Sequence, residues 1–396
     1  MPNNCIAKKV QPGVSIRILL ALSVILSYYH CCYGRWLQIS DVKVSQQPTE
    51  LAGPKTIIEY DLNDPNISAA SPAYVFVRYS TDFGENWQLL PMDSLGGNGF
   101  DIVDRSGHKM IVWWGTSETS FSDLVQVELR VRAVQMVRVP GGEFIRKALP
   151  GAGRDESRDM ETEPRSELPL FYIAKYETTI SMYTDYLNEV GGEGAGWHPR
   201  MSRTERCGII QHSNHTYSVK EGRGNYPVTY VSWYDARSFS RWCGLRLPTE
   251  AEWEKAFRGG IYLDGDATKK HPNPNPDRRY PWGDEAPDVN GVYRCNYDGE
   301  QDGFAYTAPV GSFAEYNSPY DVCDMAGNVG EWTLDWYSTS YHVGLDGFRV
   351  VRGGSWMAVP AGCDAITAAT QFPLKESSIM GFRVVRQLAH GPKTIR

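Results

Sequence analysis

Residues Val350–Arg386 read VVRGGSWMAVPAGCDAITAATQFPLKESSIMGFRVVR. Two compact motifs, RGGSW (Arg352–Trp356) and GFRVVR (Gly381–Arg386), bracket a segment without helical periodicity. Gly353, Gly354 and Gly381 permit tight backbone, and Trp356 is large enough to anchor a core. The bracketed segment holds one cysteine, Cys363, and five positions before it stands Ala358. With no activating partner visible in sequence, Cys363 reads more readily as a buried thiol or disulfide partner than as a nucleophile.

Upstream, glycine and tryptophan recur at close quarters in DMAGNVGEW (Asp324–Trp332), YPWGDE (Tyr280–Glu285) and RLPTEAEWE (Arg246–Glu254). Trp332, like Trp356, is expected in the core. Ser232 can cap a helix carrying Trp233, Ala236, Phe239 and Cys243 along one face. Thr249 with Glu252 makes a capping box for a second helix that stops at Gly259. Glu250, Glu252 and Glu254 are assigned capping, dipole and solvated-face roles. Before these, MVRVPGGEF (Met136–Phe144) opens the unit. LFYIAKYETTISMYTDYLNEVGG (Leu170–Gly192) predicts a strand leading into a helix, with Met182, Tyr186 and Val190 on one face and a Gly-Gly stop.

The N-terminal third is different in kind. Thr56–Tyr60, Ala73–Tyr79, Met110–Trp114 and Leu124–Val134 are short runs rich in β-branched and aromatic residues. LVQVELRV alternates as a half-buried antiparallel strand should. Residues 35–134 are therefore expected to form a small all-β, immunoglobulin-like or fibronectin-like sandwich. Ser80-Thr-Asp-Phe-Gly-Glu-Asn-Trp87 has the form of an Asp-box. A propeller would repeat the box in several blades, and one copy predicts a single hairpin: Asp82 caps the turn, Gly84 takes positive φ and Trp87 packs beneath.

A length of 396 residues accommodates two domains, and a net charge of −7 argues against a nucleic-acid binder. Lys8, Lys9 and Arg17 precede a short apolar run, Ile18–Leu26, and a cleavage point at Gly34. Residues 1–34 thus read as a signal peptide, placing the protein outside the cell, in a periplasm or on a cell surface. Membrane attachment follows only if that segment stays uncleaved. Cleavage would leave Cys207, Cys243, Cys295, Cys323 and Cys363, an odd number in a compartment that permits disulfides. His212 and His215, close together in a polar loop, read as surface residues because no third ligand lies near them in sequence.

RLPTEAEWE, YPWGDE, DMAGNVGEW, RGGSW and GFRVVR, in this order, resemble the formylglycine-generating enzyme or sulfatase-modifying factor family. The resemblance covers residues 135–390, leaving 391–396 as a tail. It implies an α+β chain: a C-type-lectin-like fold of little regular structure, preceded here by the β sandwich. It also implies two structural Ca²⁺ ions. One would be held by Asp324, the Gly327 and Val329 carbonyls and Glu331. The other would use Asn296, the Tyr297 carbonyl, Asp302 and the Phe304 carbonyl, hard oxygen ligands of the kind calcium prefers.

The family's chemistry is oxidation of a peptide cysteine by O₂ at a Cu(I) ion held by two thiolates, beside a serine that Ser355 matches. The later thiolate falls on Cys363 and the earlier on Ala358, whose methyl cannot bind copper. The family's tryptophan in NVWEW is Gly330 here, a change expected to open or reshape the cleft floor. The family's disulfide positions fall near Ser240, Phe257, Ala368 and Val384, all vacant; Cys295 with Cys323 is one pairing left open. The first expectation is therefore a non-oxidase binding module. Its cleft, lined by Gly330, Trp356, Met357, Ala358, Val359 and Asp364, would take a protein, peptide or glycan. Ala361, Ile366, Thr370 and Phe372 extend the contact set if the segment is diversified. The alternative is a formylglycine-generating oxidoreductase acting on a sulfatase-type peptide with Cys363 and Ser355 as its catalytic residues.

Overall fold

The computed structural model describes residues 14–17, 36–47, 55–114, 128–146, 165–191, 196–203, 205–337 and 347–387. The apolar run 18–26, the cleavage region at Gly34 and the tail 391–396 lie outside them. The chain divides into one unit of Met1–Pro65 with Ala73–Val134, and a second of Asn66–Pro72 with Gln135–Arg396.

In the first unit, Ile39–Gln47, Lys55–Leu62, Gly107–Trp114 and Leu95–Gly97 form an antiparallel sheet in that order. Ala73–Ser80 pairs with Gln88–Leu89 and Asp101–Val103, and every residue of it is buried. The Asp-box is a turn. Asn86 N–H donates to Asp82 Oδ1 at 2.8 Å, Gly84 sits at φ +84°, and Trp87 Nε1–H donates to Gly84 O at 3.0 Å. The first half of LVQVELRV, residues 124–127, lies outside the described residues; from Glu128 the strand runs on to Val139 with nearly every residue buried. Two of its arginines lie over rings, Arg130 3.9 Å over Trp87 and Arg132 5.8 Å over Trp36.

In the second unit, Phe171–Ala174 is flanked by Met136–Val139 on one side and Val385–Gln387 on the other. A second sheet runs in the order Ala368–Gln371, Arg349–Arg352, Gly330–Trp336, Met380–Gly381, its last pair parallel. Three of those four strands come from within or at the edge of the bracketed segment. Around them lie only three α-helices among the described residues. α1 (Ile180–Val190) is capped by Thr179, and Gly191 at φ +50° ends it. Val190 is exposed rather than on the buried face, because it is the last helical residue. α2 (Trp233–Trp242) and α3 (Glu250–Arg258) both start in full capping boxes, Ser232/Asp235 and Thr249/Glu252, each worth about 1 kcal/mol. The chain is thus mixed α+β with few helices.

The glutamates of α3 are not on a solvated face. Glu250, Glu252 and Glu254 are all buried because arginines reach them. Arg246 forks onto Glu252 with two 2.6 Å hydrogen bonds, Arg258 pairs with Glu254 at 2.9 Å, and Arg352 approaches Glu250 at 3.5 Å. Arg258 and Glu254 are wholly enclosed. The apolar core of this unit gathers Val137, Phe171, Trp253, Phe257, Met325 and Val385, and it also takes in Cys295 and Cys363.

Candidate functional site

The bracketed segment turns on Gly353 and Gly354, at φ +97° and +76°. A Cβ on Gly354 would lie 2.8 Å from Gly362 O and 2.9 Å from Cys363 Sγ, so only glycine fits there. Ser355 is buried, and its Oγ accepts from Met357 N–H at 3.3 Å. Trp356 is pinned by its indole N–H to Ser378 O at 2.9 Å and stands edge-on to Tyr306. The Arg206 guanidinium lies 5.0 Å over Tyr306 and 5.8 Å over Trp356. Met357 and Val359 point outward, 54% and 61% exposed, while Ala358 between them is half-buried and packs against the core. Asp364 is occupied as a turn cap. Its Oδ1 accepts from the Ile366 and Thr367 N–H groups at 3.0 and 2.7 Å, and Oδ2 meets Arg279 at 3.5 Å.

Gly330 has not opened the floor. A Cβ there would already meet Val351 Cγ1 at 2.9 Å and Gly354 O at 3.2 Å, so the neighbours have closed over the place of the family's indole.

Cys363 is fully buried, and its neighbour is Cys295, 2% exposed. The neighbouring Cys363 thiol, together with burial, pushes the Cys295 thiol well up. The backbone explains the meeting. Asn328 N–H donates to Asn296 O at 2.8 Å, and Asp298 N–H donates to Ala358 O at 2.9 Å. The loop after Cys295 is thereby stitched to both the DMAGN turn and the bracketed segment. Cys323 instead lies beside Asp324 and Lys175, so Cys295 faces Cys363 and not Cys323; all five described cysteines are free thiols. As a donor set the pair suits a soft ion, which Ala358 and Cys363 would not. Both residues are nonetheless sealed from solvent.

The implied calcium ligands can be tested by their oxygens. Asn296 donates through Nδ2 to Tyr306 O at 2.8 Å, leaving its Oδ1 buried with no hydrogen-bond partner. Asp302 Oδ1 accepts from Phe304 N–H at 2.9 Å, and its Oδ2 is likewise buried and unpartnered. Burial pushes the Asp302 carboxyl up. Two orphaned oxygens in one expected ligand set fit a hard cation.

At the other set, Gly327 turns at φ +78° and Asp324 Oδ2 accepts from Gly311 N–H at 2.5 Å. Glu331 is heavily engaged. Arg383 donates to both its oxygens, at 2.6 and 2.7 Å, and Trp253 Nε1–H donates at 2.9 Å, leaving about one acceptor site on Oε1. Glu177, missed from the sequence, completes the group. It is fully buried, its Oε2 accepts from Asn328 at 3.1 Å, and its Oε1 has no hydrogen-bond partner. Burial, then the neighbouring Asp324 charge, pushes its carboxyl well up. An acid inside the apolar run LFYIAKYETTI was the available signal.

Of the remaining candidates, His212 is held to Ser218 Oγ at 2.8 Å. A family profile, the sulfatase-modifying factor enzyme 1-like domain, matches residues 121–388. Formylglycine-generating enzyme of Streptomyces coelicolor is 38% identical over 183 residues, 41% of this chain and 53% of that protein, so there the chain spans about half the relative. The Thermomonospora curvata enzyme of the same name is 35% identical over 301 residues, 63% of this chain and 92% of that protein. A Bos taurus protein named inactive C-alpha-formylglycine-generating enzyme 2 is 35% identical over 289 residues, 64% of this chain and 88% of that protein. Equal identity thus joins the chain to relatives whose names are active and inactive.

Proposed function

The chain belongs to the sulfatase-modifying factor family, and from that premise we propose that it is an exported non-oxidase member that binds an extended peptide or protein segment at the Trp356–Val359 face. The observation that carries this reading is the placement of the thiols. Ala358, half-buried between the exposed Met357 and Val359, carries no thiol, and the one retained cysteine of the segment, Cys363, has no exposed surface. A peptide thiol would have no protein thiolate to join. Met357 and Val359, both exposed and apolar, favour a peptide or protein over a glycan. Two calcium ions would order the loops, one at Asn296, Tyr297, Asp302 and Phe304, the other at Asp324, Gly327, Val329 and Glu331 with Glu177. The N-terminal unit, as a β sandwich, would present or space the binding unit.

One observation favours the oxidase reading instead: Cys295 supplies a second thiol against Cys363, a donor pair soft enough for Cu(I). The two readings separate in one experiment. Mature protein with Cu(I), calcium and air is given a labelled peptide with a Cys-x-Pro-x-Arg core, followed by mass spectrometry and fluorescence anisotropy. The expected result is binding without conversion, weakened about tenfold by Met357→Asp or Val359→Asp. Conversion of the peptide cysteine to its aldehyde by the native protein would overturn the proposal.

A further inference from the structure

Cys295 and Cys363 come from loops distant in sequence and are buried in one apolar core, where each lies within the other's electrostatic reach. Backbone hydrogen bonds fix both loops: Asp298 N–H to Ala358 O, Ala358 N–H to Ser355 O, and Asn328 N–H to Asn296 O. The other described cysteines have different surroundings. Cys243 Sγ donates to Ser240 O at 3.2 Å, Cys207 lies by Thr229, and Cys323 lies by Asp324 and Lys175. Cys363 is hemmed by Gly354, where a Cβ would lie 2.9 Å from its Sγ.

We propose that Cys295 and Cys363 close into a disulfide that braces the loop of Asn296–Phe304 to the Trp356–Cys363 segment. This rests on the export reading above for its oxidant, the disulfide of an exported thiol oxidoreductase. One cysteine, as thiolate, attacks a sulfur of that disulfide, forming a mixed disulfide and releasing one oxidoreductase thiolate. The second cysteine, as thiolate, then attacks the Sγ of the first cysteine, breaking its bond to the oxidoreductase sulfur, which leaves as the second oxidoreductase thiolate. The protein pair loses two protons and two electrons, and the donor disulfide becomes a dithiol. The bridge would leave no free thiol at the bracketed segment.

The test uses purified mature protein equilibrated in glutathione buffers of graded ratio, then denatured, trapped with maleimide and peptide-mapped. Oxidising buffer is expected to remove two reactive thiols, yield one cross-linked peptide pair carrying Cys295 and Cys363, and raise the melting temperature by about 5–15 °C. In Cys295→Ala the Cys363 thiol should react with maleimide in every buffer, and Cys363→Ala should free Cys295 in the same way. Both thiols reacting across the whole series in the native sequence, or Cys295 cross-linked to another cysteine, would overturn the proposal. A pair that closes in glutathione but is isolated reduced from cells supports the geometry and overturns the export reading instead.

Discussion

Replacing Arg383 with methionine should be the most damaging single change in the C-terminal unit. The arginine is fully enclosed, forks onto an equally enclosed Glu331, and also donates to the carbonyls of Ala174, Lys175 and Cys323. Methionine roughly preserves volume and removes every donor. Glu331 would remain as a buried charge near Glu177 and Asp324, with the Trp253 indole N–H still donating to it. Stranding one member of a buried pair costs about 3–5 kcal/mol, and the abandoned carbonyls add to that. A unit of this size shifts by about 2–4 °C per kcal/mol, so the melting temperature should fall by roughly 6–20 °C. Thermal unfolding by circular dichroism in saturating calcium would measure it. The double variant Arg383→Met/Glu331→Leu removes both charges and should recover much of the loss, because an apolar pair of similar volume is tolerated where a lone carboxylate is not. A single variant melting within about 3 °C of the parent, or a double variant no better than the single, would refute the reasoning.

Calcium removal is the second expectation. Chelation should lower the melting temperature by about 5–11 °C if calcium is supplied at about a hundredfold over its dissociation constant. Asp302→Ala, which deletes one orphaned oxygen, should shrink that difference; identical melting in calcium and chelator would count against both sites. The third concerns Lys255, whose enclosed ammonium donates to Gly142 O at 2.8 Å and whose pKa is pushed down to about 8 by burial. Between that value and the ordinary lysine value near 10.4 the unfolded chain binds the extra proton, so this residue's contribution to stability rises with pH across the window and is constant below it. Denaturant unfolding of the parent minus Lys255→Met should show a rise on the order of 3 kcal/mol from pH 7 to 10; a flat difference would remove the burial argument.

Much of the C-terminal unit was legible from local rules. The cap at Ser232, the capping box at Thr249, the Gly259 stop and the buried Trp332 and Trp356 each depend on residues a few positions apart or on the bulk of one side chain. The α3 glutamates were misjudged for the complementary reason. On their own helix they look solvated, yet Arg352 arrives from a distant strand to bury beside Glu250. What fills the place of the indole at Gly330 was likewise beyond local rules, since Val351 reaches it from across the sheet.

By itself the sequence determined the family, through five ordered motifs whose glycines and tryptophans are demanded by tight turns and a small aromatic core, and it showed that Ala358 cannot bind a soft metal. Only the tertiary structure decided that Cys363 has a thiol partner, that Glu177 joins Asp324, and that Glu331 is already paired with Arg383. Those contacts join residues with no shared period or spacing. They form because burying the core forces remote loops together, and the loops' own polar groups then take whichever partners lie within reach.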